Sequence, residues 1–192
     1  MLQYSSNFIV VLDANVLFPA PIRDLLMNLA CEGLYQPKWS TIIQEEWVRN
    51  LLEKRPDLLR SQLSKTVDAM NETFPDANIK GFEELINGLT LPDQNDRHIL
   101  AAAIRSKSEV IVTFNSKDFP KDYLKNFDIE IQHPDLFVNN LINLDNVKAM
   151  NALNNQVKRL VNPSRTNSEV LGTLEKCGLI QSAKIFRELS IH

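Results

Sequence analysis

Six acidic side chains stand where they could do chemistry. Asp13 ends the apolar run Phe8–Leu12, and Asp118 lies just beyond a second run, Val110–Phe114. Asp93 and Asp96 are three apart at the start of a helical stretch, so both carboxylates fall on one side of it. Glu45 and Glu46 interrupt a segment otherwise carrying Ile42, Ile43, Trp47 and Val48. Taken singly, each has an ordinary structural use: a turn cap at Asp13, first-turn acids suited to a helix dipole at Asp93 and Asp96, a turn residue at Asp118, solvated charges at Glu45 and Glu46. Brought together, carboxylates repel and raise one another's pKa values unless a cation sits between them. An all-oxygen set without Cys or His selects a hard divalent ion, Mg2+ or Mn2+. Such an ion acidifies water and offsets the charge of phosphate oxygens, which points to phosphodiester or phosphate-ester chemistry.

Other chemistries find little support. The chain has no G-x-S-x-G elbow, no Walker A loop and no G-x-G-x-x-G turn. His98 follows Asp96 by two residues, which on a regular α-helix is roughly 200° away, so it reads as a packing or surface residue. Cys31 and Cys177 are far apart and read as thiols of a reducing cytosol, with no disulfide scaffold or zinc site. The segment Met1–Asn7 has no Lys or Arg ahead of the first apolar run, against a secretory leader, and no apolar run is long enough to span a bilayer. The 192 residues carry a net charge of −3, unevenly spread: from Asn146 onward seven basic and three acidic residues give +4, and the preceding part is −7.

The elements that must position these acids alternate between strand and helix. Phe8–Leu12 reads as a strand buried on both faces. A helix follows from near Pro21 to before Gly33; Pro37 breaks the chain; Ser40 caps a helix over 41–54. A third helix restarts at Pro56-Asp57, with Leu58, Leu59, Leu63, Val67 and Met70 at helical spacing, and closes at Phe74-Pro75-Asp76. A short strand near 77–80, a brief helix over 82–87 and a helix over 95–105 precede strands at 110–114 and 129–132. A helix from Pro134 through Ile142 follows, then three short helices: 147–161, one opened by a Thr166/Glu169 capping box and stopped at Gly178, and 180–189. The pattern predicts a three-layer α/β/α fold with a central parallel sheet and a small C-terminal helical extension. In such sheets ligands bind at the carboxyl ends of the strands, where Asp13 and Asp118 fall.

Four blocks in order resemble the PIN-domain nucleases, and most closely the VapC-type toxins of prokaryotic toxin–antitoxin pairs: Leu12-Asp13-Ala14-Asn15-Val16-Leu17, Glu46 in the second helix, the run from Asp93 to Ala103, and the run from Val112 to Phe119. The resemblance covers about residues 7–140 and implies a nuclease domain over 1–142 with a helical extension over 146–192. It implies an acidic site of Asp13, Glu46, Asp96 and Asp118 with Asp93 accessory, and Mg2+ or Mn2+ held by Asp13, Asp96, Asp93 and Asp118, chiefly by Asp13 and Asp96. Asn15, Thr113 and Asn115 match positions that orient ligands or water. Glu46 rather than Glu45 fits the family spacing from Ser40. Gln94-Asn95 departs from the Asp-rich run of many members. The implied activity is an endoribonuclease acting on RNA such as a tRNA, held in check by a cognate antitoxin and able to pair as a homodimer.

Because an acidic site repels RNA, cations elsewhere must hold the backbone. Arg49, Lys54, Arg55, Lys158, Arg159 and Arg165 are the candidates, against the plainer reading of solvated helix faces. The alternatives are an inert PIN-like RNA-binding scaffold and, further off, a haloacid-dehalogenase-type phosphatase, whose second acid two residues after the nucleophile is here Asn15.

Overall fold

A computed structural model of the chain describes residues 8–190; the Met1–Asn7 segment read for a leader lies outside them. By their contacts the described residues form two units, one of Ile9–Phe18 and Gln36–Gln132, the other of Phe8, Pro19–Tyr35 and residues 133–190.

The first unit is built on a five-stranded, fully parallel sheet. Its strands are β1 (Ile9–Leu12), β2 (Gln36–Ser40), β3 (Asn78–Ile79), β4 (Val110–Val112) and β5 (Glu130–Gln132), in the order β3-β2-β1-β4-β5. Val10, Val11, Leu12, Val110, Ile111 and Val112 are fully buried, which is why both central strands read as unbroken β-branched or leucine runs. A short helix α1 (Ala14–Leu17) leaves β1 directly. The helix α6 (Arg97–Ser106) lies against β1, β2 and β4 through Leu100, Ala101, Ala102 and Ala103, whose small side chains let helix and sheet approach closely. The unit also holds α3 (Thr41–Lys54), α4 (Arg60–Thr73), α5 (Glu83–Ile86) and α7 (Lys121–Leu124).

The second unit is helical: α2 (Ala20–Cys31), α8 (Pro134–Leu144), α9 (Asn146–Arg159), α10 (Asn167–Lys176) and α11 (Ile180–Leu189). Tyr35 meets Phe137 edge-on with ring centres 5.1 Å apart, and its hydroxyl donates to Leu26 O at 2.9 Å. Asp135 accepts from the Gln181 and Ser182 amides at 2.9 and 2.8 Å, capping α11 from another helix. The α/β class read from the sequence, a central parallel sheet with helices and a helical C-terminal extension, is the one found.

Three details differ from expectation. Residues 36–40 form β2 despite Pro37, which pairs with Val10. The next amide on the same side of the strand, that of Trp39, donates to Ala77 O, and the β3 ladder begins only opposite Trp39. Pro37 therefore faces the stretch where no partner strand runs, and its missing N–H costs no ladder bond. Helix α4 starts at Arg60 instead of Pro56-Asp57: Arg55 and Asp57 close the turn with a 2.6 Å ion pair, and Leu59, 63% exposed, stands outside the helix. The grouping by contacts crosses the expected bounds of 1–142 and 146–192, which are bounds along the sequence. The helices α2 and α8 group with the tail, because α2 packs on α9 and Gln156 Nε2 donates to Pro21 O at 2.9 Å. Strand and helix periodicity shows which face of α2 is buried but not which later helix buries it.

Candidate active site

The site grows from two strand ends. After β1, the Asp13 amide donates to Val112 O (3.1 Å), and after β4 the Thr113 amide donates to Gln132 O (3.1 Å). The ladder thus runs one residue past each strand and sets Asp13 beside Thr113. The Thr113 hydroxyl donates to Asp13 Oδ2 at 2.6 Å and accepts from the Asn115 amide (2.9 Å) and from Asn15 Nδ2 (3.0 Å). Asn15 Nδ2 also donates to Asp13 Oδ2, and Asn15 Oδ1 accepts from the Phe114 amide at 3.0 Å. Asn15 and Thr113 therefore do what a positioning pair must: they fix one oxygen of a buried carboxylate across two loops. Asn115 Nδ2 donates to Asp118, holding that acid in the turn after β4.

The remaining acids come from α3 and from a 3₁₀ turn, Gln94–Asp96, that leads into α6. Ser40 Oγ accepts from the Ile43 amide at 3.2 Å and starts α3 where the sequence predicted. Glu45 is spent on an ion pair with Arg60, whereas Glu46 Oε2 lies 3.4 Å from His98 Nε2 and is close enough to raise both Asp13 and Asp96. Asp93 accepts from the Asn95 amide at 2.8 Å, capping the 3₁₀ turn. Asp13, Glu45, Glu46, Asp93 and Asp96 line one cavity of about 750 Å³; Asp118 is not part of its wall but still acts on Asp96.

The electrostatics follow from that crowding. Asp13 is pushed up to about 6, first by burial and then by Glu46, with the Thr113 hydroxyl pulling the other way. Asp96 is pushed up to about 7 by burial and by the charges of Asp13, Asp93, Asp118 and Glu46. Its Oδ2 is buried with no hydrogen-bond partner. Among the described residues no three His, Cys, Asp or Glu side chains are gathered tightly enough to hold an ion between them as they stand. The donor set nevertheless fits a hard divalent cation: its acids offer only oxygen, one carboxylate oxygen lacks a partner, and burial and neighbouring carboxylates hold two of the acids above the usual range.

His98 is a residue that sequence reasoning set aside, and the structure places it beside Glu46 with its side chain 12% exposed. The 200° argument set His98 against Asp96 in its own segment and was silent on α3, which brings Glu46 to His98. The candidate RNA-binding cations fare unequally. Arg55 is engaged with Asp57, Arg165 with Glu169 at 3.8 Å, and Lys54 lies 4.9 Å above the Phe18 ring. Arg159 acts on Asp24 in the helical unit, where Lys158 also resides. Of the six, only Arg49 lines the carboxylate cavity.

A family model described as the PIN domain matches residues 9–117, and a model described as the VapC50 C-terminal domain matches residues 134–188. The first covers more than half of the chain, which belongs to the PIN-domain family. A curated relative, "Putative ribonuclease VapC50" of Mycobacterium tuberculosis (strain ATCC 25618 / H37Rv), is 36% identical over 94 residues, 49% of this chain. The match spans 55% of that relative's length. No solved structure matches the chain.

Proposed function

We propose that the chain is a metal-dependent endoribonuclease and the toxin of a toxin–antitoxin pair. The observation that carries the reading is the crowding of carboxylates around Asp96, whose buried Oδ2 lacks a hydrogen-bond partner and whose pKa is shifted upward; both support a cation site there. The relative named as a ribonuclease supports the choice of RNA.

Asp13 and Asp96, with Asp93 and Asp118, would hold Mg2+ or Mn2+. Such an ion, when bound, would acidify water and offset charge on the phosphate oxygens. The protein's own groups do the rest. Thr113 and Asn15 hold Asp13 in one orientation, so that no rearrangement is needed when RNA arrives. Glu46, steadied by His98, accepts a hydrogen bond from the attacking water and aligns it with the phosphorus. Asn115 keeps Asp118 turned toward the same region. A phosphatase of the haloacid-dehalogenase type lacks support, since residue 15 is an amide bonded to Asp13 and Thr113, not a second acid. A free ribonuclease endangers its own cell, so a cognate antitoxin protein covers the cavity until it is removed.

The test is incubation of the full chain with a tRNA pool in Mn2+ or Mg2+ against EDTA, beside Asp13→Asn and Asp96→Asn. Discrete products that vanish with EDTA and in both variants are expected. RNA retained on a filter but never cut would replace this reading with the inert RNA-binding scaffold.

A further inference from the structure

The cavity wall contributed by α3 carries one guanidinium among carboxylates. Arg49 stands three residues after Glu46 and four after Glu45, the spacings at which a helix pairs opposite charges. Neither pair forms. Glu45 is bound to Arg60, Glu46 faces His98, and among the described residues Arg49 makes no ion pair and no hydrogen bond. A guanidinium left unpaired within helical reach of two acids, at the rim of a cavity lined by three more, has its attractive partners taken or turned away. It is available to an anion from outside.

We propose that Arg49 grips the non-bridging oxygens of a phosphate in the RNA strand lying in this cavity, and so is the substrate-binding residue that lets a polyanion enter an acidic site. The inference rests on the ribonuclease reading for the identity of the polyanion. The planar guanidinium offers two parallel N–H donors that match two phosphate oxygens, a geometry that a carboxylate-lined cavity otherwise lacks. Its position on α3, one turn beyond Glu46, sets the gripped phosphate at a fixed offset from the acids, so that the cut falls at a defined distance along the strand.

The test reads binding separately from cleavage. A fluorescein-labelled single-stranded oligoribonucleotide of mixed sequence is titrated with the full chain in Ca2+, which holds the acid cluster without turnover, across a range of KCl. Arg49→Ala is expected to weaken binding about tenfold and to flatten the plot of log affinity against log salt by about 0.7, the contribution of one phosphate contact on a single strand. Arg49→Lys keeps the salt slope while losing part of the affinity. The matching deoxyoligonucleotide responds equally to Arg49→Ala, because the contact is to phosphate. Wild-type affinity and slope in Arg49→Ala would overturn the proposal, as would a wild-type chain that binds neither strand. A wild-type chain that binds RNA through Arg49 but cuts nothing in Mn2+ would leave this inference standing and remove the nuclease reading alone.

Discussion

Asp13 shows what a single residue costs and gives. It is 3% exposed, and the fold keeps it in place with a threonine hydroxyl and an asparagine amide rather than with a cation. In the unfolded chain such an acid ionises near 3.8; folded, Asp13 holds its proton to about 6 and Asp96 to about 7. Between those values the native state binds more protons than the unfolded one, so the stability of the metal-free protein falls as pH rises from about 4 to about 7. Asp13 alone accounts for about 3 kcal/mol of that fall by neutral pH. Urea midpoints in EDTA across this range check the slope, and a midpoint that rises with pH would contradict it. The same accounting predicts that Asp13→Asn raises the midpoint at pH 7.5 in EDTA while lowering Mn2+-dependent RNA cleavage by about 100-fold or more, the trade of stability against activity common at charged sites. Thr113→Val removes the donor to Asp13 and the acceptor for the Asn115 amide at nearly constant volume; a loss of about 1–2 kcal/mol is expected by urea denaturation. The residues themselves were legible in the sequence because Asp13 and Asp118 follow apolar strands. Glu45 and Glu46 were not separable by the residue pattern alone, since both lie among the apolar residues of one helix; the Arg60 and His98 contacts tell them apart.

Among the elements, α3 and the strand ends do the positioning. The Ser40 cap fixes where α3 begins and hence the rotation that turns Glu46 toward Asp96. Ser40→Ala is expected to cost about 1 kcal/mol and to weaken the effect of Mn2+ on the thermal midpoint, since Glu46 loses its fixed approach. An unchanged Mn2+ response in that variant would separate the cap from the site. Capped helices were legible almost to the residue: 41–54 and 180–189 fall where the sequence put them, and the Thr166/Glu169 box forms as read. What escaped was geometry set by neighbours. β2 is a strand because β1 and β3 flank it, and Pro37 survives there because it faces the gap before β3 begins. The 3₁₀ turn over Gln94–Asp96 escaped as well, as did the approach of His98 to Glu46, which joins two helices distant in sequence.

At the scale of the whole molecule, the sheet unit contains every residue of the candidate site, and the helical unit is assembled from both ends of the chain. In the latter, α2 buries Ile22, Leu25, Leu26 and Leu29 and packs on α9, which presents Ala149, Ala152 and Leu153. A chain ending at residue 145 uncovers that face of α2. Hydrogen exchange is therefore expected to lose protection over Ala20–Cys31 in the truncated chain relative to the full one; retained protection would show that α2 is held without α9. This interleaving was not legible, because the turn from the α/β pattern to consecutive helices marks a change of secondary structure and says nothing of which helix meets which. Among the described residues no helix is long and apolar enough to cross a membrane.

The central claim is that the carboxylates around Asp96 are arranged for a divalent cation. Calorimetric titration of Mn2+ into the full chain at pH 7, in two buffers of different ionisation enthalpy, tests it most directly. Burial and the surrounding carboxylates hold Asp96 above the usual carboxylate range, so binding is expected to release protons and the observed heat to differ between buffers. Asp96→Asn is expected to lose both the binding and the buffer dependence. No saturable Mn2+ binding by the wild-type chain, or binding undiminished in Asp96→Asn, would contradict the account.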